Sequence, residues 1–502
     1  MRVQTITRST QGEESRGLFT VDELREVISV KVLTGQDSLS RKRRIRRIRR
    51  IGTDSRTIRP GDLFVALRGD KFDGHEFVPA VFEQGAAGAI VHDEYQLPPG
   101  IAAMRRTEGR SLPFLLGVRD PLFAYQQLAT HYRSRFNIPV VAVTGSNGKT
   151  TTKEMVAAVL AQRWPVLKTE GNFNNRIGVP STLFRLTARH QAAVIEMGVD
   201  QQGQTTRLCE IVRPTIGVIT NIGPDHLEFF RSMEGSAQAK AELLDLLPSD
   251  GMIMLNADDP YFDYLAVRAQ CRVMSFGFSE MADIRASRVV SDVRHGTTFR
   301  LHLPGKIRST IVRMKVHGVH NVTNALAAAA VGVALNLSGS MIAQGLGRFR
   351  PVAMRSQVVT HRGVHFINDC YNANPASMKA ALQLLAQWSP AHERIAVLGD
   401  MLELGPETGR LHRDVGQFLA TQKLSRLIVC GMLGRDIAEG ARQGGMAGLQ
   451  IDEVVDAAAA ADRLKRILRQ GDVVLVKASR GMKMEHVVQT LAGMKAVIKQ
   501  AS

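Results

Sequence analysis

The chain has 502 residues, of which 44% are hydrophobic and 22% are charged, and its formal net charge is +18. This length predicts about three domains of ~150 residues each, and the composition is typical of a globular protein. The longest largely apolar run, Ala325–Leu335, has 11 residues and is shorter than the ~20 residues that cross a bilayer. The polar N-terminus contains no signal-peptide core, and the four cysteines show no disulfide or zinc-site spacing. We therefore expect a cytoplasmic protein without membrane insertion.

The positive charge is concentrated in one segment. Eight basic residues lie in the decapeptide RKRRIRRIRR, Arg41–Arg50. Such a run can contact RNA, anionic lipid or an anionic substrate. Aromatic residues that would stack on bases do not alternate with it, so we interpret it as a solvated basic segment and expect no nucleic-acid partner.

Alternating strand and helix patterns predict an α/β protein with three domains. Residues 1–17 are predicted to form a loose tail. Residues 18–137 form a small α/β domain, residues 138–350 a central domain built on a parallel sheet, and residues 351–502 a Rossmann-like domain. Strands are predicted at Asp62–Leu67, Ala86–Val91, Ala192–Met197, Ile216–Asn221, Met252–Asn256, Val364–Asp369, Arg394–Gly399, Leu427–Gly431 and Val473–Lys477, with a helix at Pro121–Arg135.

The segment from Ile138 to Leu160 indicates a site for a nucleoside triphosphate. An apolar strand ends at the turn Thr144-Gly145-Ser146-Asn147-Gly148, and a helix-periodic run begins at Lys149. Backbone N–H groups of such a loop bind phosphates, the lysine reaches the terminal phosphates, and a hydroxyl reaches Mg²⁺. The general pattern requires a glycine where this chain has Val143, so the loop is a shorter form. A glycine-rich turn before an ordinary helix is the alternative, and the preceding strand makes it the weaker one.

Polar residues recur at the ends of the central strands, where parallel sheets collect their ligands. They are Glu196, then Asn221, Asp225 and His226, then Asn256, Asp258 and Asp259. An acid or asparagine there is more often a turn former or helix cap, His226 alone is more often a satisfied surface or core histidine, and Lys240 alone is more often a solvated lysine. Beside a phosphate loop, such oxygen and nitrogen ligands suit a Mg²⁺–nucleotide site. A further helix is predicted to start in His317–Ala330, capped by Asn321 or Thr323, with Asn324 facing a base.

Eight segments in chain order resemble the Mur ligase family, and the resemblance spans roughly Thr53 to Val488. They are TGSNGKTTTKEM from Thr144, EGNFNNRIGVPSTL from Glu170, EMG from Glu196, TNIGPDHLEFF from Thr220, LNADDP from Leu255, GVHNVTNALAAAA from Gly318, NDCYNANPASMKAAL from Asn368 and VLGDMLELG from Val397. The last two are most similar to the branch that joins D-alanyl-D-alanine to UDP-N-acetylmuramoyl-tripeptide. The DNPR-type signature of the relatives that add a single diamino acid is absent from the sequence.

The resemblance implies a two-Mg²⁺ ATP site. It assigns ATP binding to the phosphate loop, to Asn324 of the central domain and to four residues of the last domain. It also implies that Lys149, His226 and Lys240 are catalytic. The ATP-binding residues are Gly145, Ser146, Asn147, Gly148, Lys149, Thr150, Thr151, Asn324, Arg355, Asp369, Tyr371 and Asn372. The metal ligands are Thr150, Glu196, His226 and Lys240, the lysine as a carbamate.

The first domain contains TDSRTIRPGDLFVALRGDKFDGHEF from Thr53, which resembles the family's uridine-nucleotide-binding region. The resemblance implies that Ser55, Arg56 and His75 bind the uridine nucleotide and that Asn174 and Asn175 face the muramyl-peptide arm.

The implied reaction phosphorylates the terminal carboxylate of UDP-N-acetylmuramoyl-tripeptide with ATP. The amine of D-alanyl-D-alanine then attacks the acyl phosphate, in the last cytoplasmic step toward the UDP-muramyl-pentapeptide. We expect a monomer. Two alternatives stay open: a sister ligase that adds a single amino acid, and a P-loop NTPase that binds nucleic acid through the Arg41–Arg50 run.

Overall fold

The structure, a computed structural model, describes residues 17–34, 47–69, 72–98, 113–292 and 295–493. Most of the predicted tail and residues 41–46 of the basic run lie outside these ranges. The contacts along the chain define two units. The first contains residues 1–140, 165–197 and 207–214, and the second contains residues 141–164, 198–206 and 215–502.

A five-stranded sheet forms the centre of the first unit. In spatial order its strands are Lys31–Thr34, Phe114–Val118, Gly88–His92, Leu63–Val65 and Ile51–Gly52, and only the first is antiparallel to its neighbour. The short strands Phe19–Thr20 and Arg47–Ile48 form an antiparallel pair, and Val166–Lys168 pairs in parallel with Ala192–Glu196. The helices are Val21–Val27, Val78–Glu83, Pro121–Ser134 and Gly178–Leu183. The helix Pro121–Ser134 begins as its sequence predicts, because Asp120 accepts hydrogen bonds from the N–H groups of Leu122 and Phe123.

The second unit contains strands that carry the nucleotide-binding motifs. Val140–Thr144, Ile216–Ile219, Met252–Asn256 and Arg272–Gly277 run parallel, with Ile216–Ile219 next to Val140–Thr144. Ile284–Asp292 continues the parallel series, and Gly296–His302 and Thr310–Met314 follow as antiparallel strands. The predicted strands at Ile216, Met252 and Val140 are therefore present, whereas the antiparallel extension was not predicted.

A six-stranded sheet is built from the C-terminal part of the same unit. Its order is Gln357–His361, Val364–Asn368, Val473–Lys477, Arg394–Gly399, Arg426–Cys430 and Ile451–Val454, and only the first pair is antiparallel. Alternate residues enter two separate apolar clusters: Ala396 and Leu398 lie in one, Ile395 and Val397 in the other. This alternation shows that both faces of the sheet are covered, as parallel sheets require.

Helices separate most of these strands. Those of the second unit are Lys149–Leu160, Leu227–Phe230, Met233–Leu246, Phe262–Arg268, Val319–Ala334, Gly339–Arg348, Pro375–Ala386, Thr408–Thr421, Gly434–Gln443, Ala457–Ile467 and Glu485–Ala492. Gln204–Val212 has residues in both units. Within the described residues, no helix is long and apolar enough to cross a membrane.

Candidate active site

The loop after Val140–Thr144 can be made only with glycine at two positions. Gly145 has φ of +129° and Gly148 has φ of +81°, a region that side chains disfavour. A Cβ at Gly145 would collide with the Thr220 hydroxyl, and a Cβ at Gly148 would collide with the side-chain amide of Asn324. The loop is therefore packed closely between a neighbouring strand end and the helix Val319–Ala334.

Asn147 is clamped by the end of the adjacent strand. Its N–H donates to Asn221 Oδ1 at 3.0 Å, and its carbonyl accepts from Asn221 Nδ2 at 3.1 Å and from the Thr220 hydroxyl at 2.6 Å. Asn221, a strand-end residue of the sequence analysis, thus holds the loop rather than facing outward.

The helix Lys149–Leu160 begins directly at the phosphate loop. Its first N–H groups have no acceptor within the helix and can bind anions. Lys149 Nζ donates to the carbonyls of Gly145 at 2.6 Å and Ser146 at 3.2 Å, so the ammonium group crosses the loop. Thr150 and Thr151 are buried behind it. The predicted loop residues are therefore brought together as the motif implies.

A buried polar network joins the loop to Lys240. Ser146 Oγ donates to Asp225 Oδ1 at 2.6 Å, and Lys240 Nζ donates to the same oxygen at 3.0 Å and to Ser236 Oγ at 2.7 Å. Burial would raise the pKa of Asp225, but the charges of Lys240 and Lys149 and the Ser146 hydrogen bond lower it. The second Asp225 oxygen is buried without a hydrogen-bond partner among the described residues.

Lys240 is not the solvated lysine of the alternative interpretation, because it is only 1% exposed. Its ammonium group also lies 4.6 Å from the centroid of the Phe230 ring. Burial lowers the pKa of Lys240 to about 8, although the Asp225 charge acts in the opposite direction. A lysine of this kind exists partly as the neutral, nucleophilic amine near neutral pH.

His226 begins the short helix Leu227–Phe230 in the left-handed conformation, with φ of +50°. Its Nδ1 atom lies 2.6 Å from Glu403 Oε2. The ring also makes an edge contact with Phe230 at 6.4 Å between centroids. His226 and Lys240 therefore share Phe230 as a neighbour.

Asn324 lies within the helix Val319–Ala334, next to the phosphate loop. Its Oδ1 accepts from the Thr152 hydroxyl at 3.2 Å, and its Nδ2 donates to Asn321 at 3.3 Å. The predicted cap was wrong: Gly318, with φ of +92°, is the N-cap, and both Asn321 and Thr323 lie inside the helix. With Gly318 as its N-cap, the helix starts at Val319, three residues earlier than it would with Asn321 as the cap.

The C-terminal segment contributes a second group of predicted residues. The Arg355 guanidinium stacks 3.9 Å above the centroid of the Tyr371 ring, and Arg355 Nε is buried without a hydrogen bond among the described residues. Asp369 accepts from the Ser356 N–H at 2.8 Å and from Lys477 Nζ at 2.6 Å. Asp369 is thus neutralised by a lysine that sequence reasoning did not select.

Lys477 and Asn374 are the main residues that sequence reasoning missed. Lys477 is nearly fully buried, and it also donates to the Asn372 carbonyl at 2.9 Å. Asn374 Nδ2 donates to Asn147 Oδ1 at 2.8 Å, which ties the Y-N-A-N-P segment to the phosphate loop. The sequence marks both only as parts of strand-loop-helix segments rich in polar residues, and their partners follow from the fold.

In the first unit, the uridine-site candidates are held by local acidic residues. Arg56 makes two bonds of 2.9 Å to Asp54, which also caps the turn Ser55–Thr57. His75 is buried, with Nδ1 2.5 Å from Asp73 and Nε2 accepting from the His92 N–H at 2.9 Å. Both ring nitrogens of His75 are therefore occupied inside the domain, which indicates that it shapes the site more than it contacts a ligand.

Two other candidates of the first unit, Asn174 and Glu196, meet at the end of the strand Ala192–Glu196, and Asn175 follows Asn174 in the chain. Asn174 Nδ2 donates to Glu196 Oε1 at 2.8 Å, and the Glu196 N–H donates to the Thr169 hydroxyl at 3.0 Å. Asn175 Oδ1 accepts from the N–H groups of residues 177 and 178 at 3.1 and 2.9 Å. Asn174 thus fixes the carboxylate of Glu196, whereas Asn175 shapes its own loop.

The donor set of the second unit fits a magnesium nucleotide. The loop N–H groups and Lys149 suit phosphate, the Thr150 hydroxyl and the unpartnered Asp225 oxygen suit Mg²⁺, and the unpaired Arg355 Nε suits an anion. Among the described residues no group of three or more His, Cys, Asp or Glu side chains forms a ready metal site. Phosphate oxygens of the nucleotide would have to complete the coordination of Mg²⁺.

Three family models match the chain. They are the Mur ligase family catalytic domain at residues 47–164, the Mur ligase middle domain at residues 143–332, and the Mur ligase glutamate ligase domain at residues 354–480. The UDP-N-acetylmuramoyl-tripeptide–D-alanyl-D-alanine ligase of Bacillus subtilis is 37% identical over 88% of this chain and 92% of its own. That of Escherichia coli is 35% identical over 88% of this chain and 93% of its own.

Solved structures of the same family also match the chain. The chain is similar to MurF from Acinetobacter baumannii, with a TM-score of 0.80, 32% identity and coverage of 93% of this chain and 100% of the other. It is also similar to MurF ligase from Thermotoga maritima in complex with ADP, with a TM-score of 0.77, 26% identity and coverage of 89% and 97%. The predicted three-domain α/β fold class is confirmed, while the exact domain boundaries stay predictions. On these matches, the chain belongs to the Mur ligase family.

Proposed function

We propose that this chain is the ATP-dependent ligase that joins D-alanyl-D-alanine to UDP-N-acetylmuramoyl-tripeptide. The observation that carries the proposal is the phosphate loop clamped by Asn221, within a motif of the whole family, and by Asn374, within the Y-N-A-N-P motif of that branch. The relatives named for this reaction match 88% of the chain or more. A bare P-loop NTPase gives no role to the Y-N-A-N-P segment, so that alternative is disfavoured.

The chemistry explains why ATP is needed. A carboxylate is a poor electrophile, so the terminal carboxylate of the tripeptide first attacks the γ-phosphorus of ATP and releases ADP. The amine of D-alanyl-D-alanine then attacks the acyl carbon, loses a proton and expels phosphate to leave an amide. Both steps bring anionic groups together, and fixed positive groups lower that barrier.

The residues divide into three binding roles and a catalytic one. Those proposed to hold ATP are Gly145, Ser146, Asn147, Gly148, Lys149, Thr150, Thr151, Asn324, Arg355, Asp369, Tyr371 and Asn372. Thr150, Glu196, His226 and Lys240 would hold two Mg²⁺ ions, whose chemistry is to neutralise charge on phosphate oxygens. Ser55, Arg56 and Asn174 are proposed to contact the uridine nucleotide and its peptide arm, while His75 and Asn175 are proposed to shape the loops of that site. Lys149, His226 and Lys240 are the proposed catalytic residues.

Lys240 is proposed to carry a carbamate. Its amine is partly neutral near pH 8 because of burial, so its nitrogen can attack CO₂ and release a proton, which converts a cation into an oxygen ligand. We expect a protein-bound carbamate signal in the ¹³C NMR spectrum after incubation with ¹³C-bicarbonate. The signal should be missing in Lys240→Gln and present in Lys306→Gln, which changes an exposed lysine. A signal that persists in Lys240→Gln would contradict the assignment.

The decisive test of the function is phosphate release from ATP. We expect release that requires UDP-N-acetylmuramoyl-tripeptide and D-alanyl-D-alanine together, with a product heavier by one dipeptide residue in mass spectrometry. Release with a single amino acid in place of the dipeptide would identify a sister ligase. Release that needs neither substrate would overturn the ligase proposal.

We further propose that the enzyme works in the cytoplasm as a monomer, without a nucleic-acid partner.

A further inference from the structure

A loop of the C-terminal segment touches the proposed metal ligand His226. This docking loop, residues 400–407, and the segment 225–230 both belong to the second unit. The Glu403 carboxylate lies 2.6 Å from His226 Nδ1, and the Glu403 carbonyl accepts from the Glu228 N–H at 3.2 Å. A Cβ at Gly405 would lie 3.3 Å from Glu228 Cα. The docking loop thus meets the histidine segment through backbone and side chain.

An apolar contact fixes the same interface. Leu227, the residue after His226, packs against the C-terminal apolar cluster that includes Met401, Leu404 and Leu411. Met401 and Leu404 belong to the docking loop itself and are buried. Because this contact places Leu227, it also sets where the neighbouring His226 ring can lie.

Hydrogen bonds to other parts of the C-terminal segment hold the docking loop in place. The Met401 N–H donates to His412 Nε2 at 2.9 Å, and the Leu402 N–H donates to the Ser479 hydroxyl at 2.9 Å. Asp400 Oδ1 accepts from the N–H groups of residues 433 and 434 at 3.0 and 2.9 Å. Glu403 follows these anchors with φ of +64°, a conformation that costs energy for a side chain other than glycine. Such local strain is retained where the geometry is needed.

A histidine that ligates a metal usually donates its other N–H to a carboxylate, which fixes the tautomer and the ring orientation. In this chain His226 Nδ1 is buried and has no aligned hydrogen bond among the described residues, and the Glu403 carboxylate is the acidic group beside it. We propose that Glu403 is a positioning residue that holds the Nδ1–H form of His226 and thereby presents Nε2 to the metal. This inference rests on the proposed metal role of His226.

The proposal gives the docking loop a function in catalysis. The loop comes from the C-terminal segment, so contact with it would orient His226 only when that segment is in place. Glu403, in the branch motif G-D-M-x-E-L-G, would then complete the metal site only when the C-terminal segment encloses the substrate. In this role Glu403 acts through the histidine.

The first test needs no metal. Protein labelled with ¹⁵N at histidine is compared in metal-free buffer as wild type, Glu403→Ala and Glu403→Gln, with His226→Gln to assign the resonance. We expect the Nδ1–H tautomer of His226 in the wild type, loss of that preference in Glu403→Ala, and partial retention in Glu403→Gln, whose amide oxygen still accepts. An unchanged tautomer in Glu403→Ala would overturn the proposal.

The second test measures how much Mg²⁺ the enzyme requires. Removing such an outer carboxylate typically costs about 10–100-fold, so Glu403→Ala should raise the Mg²⁺ concentration for half-maximal rate by about that factor. Its KM for D-alanyl-D-alanine should stay within about twofold. Glu403→Gln should recover part of the loss. The control is Glu407→Ala in the same loop, whose carboxylate pairs with exposed Arg410; its Mg²⁺ requirement should be unchanged.

The two tests separate the inference from the proposed function. Ligase activity with an unaltered Mg²⁺ requirement in Glu403→Ala would overturn the role of Glu403 and leave the function standing. A tautomer change in Glu403→Ala, together with a wild type that shows no ligase activity, would support the contact and overturn the function. Far-ultraviolet circular dichroism and the urea midpoint of each variant check that it folds.

Discussion

At the residue scale, Gly148 occupies a position of the phosphate loop that has no room for a side chain. It has a positive φ, and its missing Cβ leaves room for the Asn324 amide. We expect Gly148→Ala to weaken ATP binding by at least tenfold, because Asn324 and the loop must move apart. Isothermal titration calorimetry with ATP and Mg²⁺ measures the effect.

Gly305→Ala is the matched control for that substitution. Gly305 also has a positive φ, of +68°, but no atom lies within 4 Å of the position of its Cβ. It should therefore lose only the backbone term of about 1–2 kcal/mol in the free energy of unfolding and bind ATP normally. Equal ATP affinity in both variants would show that close packing at Gly148 is unimportant.

Lys149 provides a second residue-scale prediction. Its ammonium group already donates across the loop to the carbonyls of Gly145 and Ser146. A bound phosphate would replace these carbonyls as the acceptor. Lys149→Ala should lower kcat by about 10²–10³-fold or more, since it removes a fixed charge from the reacting phosphate. Stopped phosphate-release assays measure this, with exposed Lys306→Ala as the control. Substantial turnover by Lys149→Ala would contradict the ATP-site assignment.

At the element scale, the docking loop depends on a buried neutral histidine. His412 is fully buried, accepts from the Met401 N–H and lies 2.7 Å from the Thr408 carbonyl. Burial lowers the pKa of His412, although the Thr408 carbonyl and Asp400 act in the opposite direction. The folded protein therefore binds fewer protons at this site than the unfolded chain once the pH falls below about 6.5.

The contribution of His412 to the free energy of unfolding therefore decreases as the pH falls, by at most about 1.4 kcal/mol per pH unit. At pH 7 wild type should be more stable than His412→Gln, and the difference should shrink between pH 7 and pH 5. Urea denaturation at each pH measures it, and His486→Gln, which changes an exposed histidine, is the control for the substitution itself. A gap that widens toward pH 5 would contradict the neutral state of His412.

The sequence predicted elements best where one signal dominates. The helix Lys149–Leu160 and the strands Met252–Asn256, Arg394–Gly399 and Val473–Lys477 have the predicted bounds, because their apolar runs are flanked by clear turn residues. The antiparallel strands Gly296–His302 and Thr310–Met314 were missed. They are partly exposed and carry polar residues, so they lack the continuous apolar pattern of a buried parallel strand.

The local motifs predicted which residues belong to the candidate site, but not which distant residues they contact. Lys149 and the loop glycines follow from the local pattern, whereas the bonds of Asn221 and Asn374 to Asn147 join residues that are far apart in sequence. Lys477 was missed for the same reason, since only the fold brings it to Asp369. Local spacing contains no information on which distant strand end will lie beside a given loop.

At the scale of the whole molecule, the net charge of +18 is the strongest argument for a nucleic-acid partner. The described end of the basic run weakens it. Arg50 donates to the buried carboxylate of Asp62 through both Nε and Nη2, and the Arg49 side chain lies beside Gly61. Arg50 is therefore engaged in an ion pair within the first unit.

We therefore expect RNA and DNA to leave ATP turnover unchanged. A protein that contacts several phosphates would show binding that weakens steeply between 50 and 200 mM salt, whereas a solvated basic segment would show only weak retention at the lowest salt. Phosphate release with and without single-stranded RNA, and fluorescence anisotropy over that salt range, make the distinction. Reversing Arg47 and Arg49 to glutamate should then leave ligase activity intact, because neither residue lies in the proposed site. Stimulation by RNA that disappears in this variant would instead assign the basic run to a nucleic-acid partner and revive the NTPase alternative.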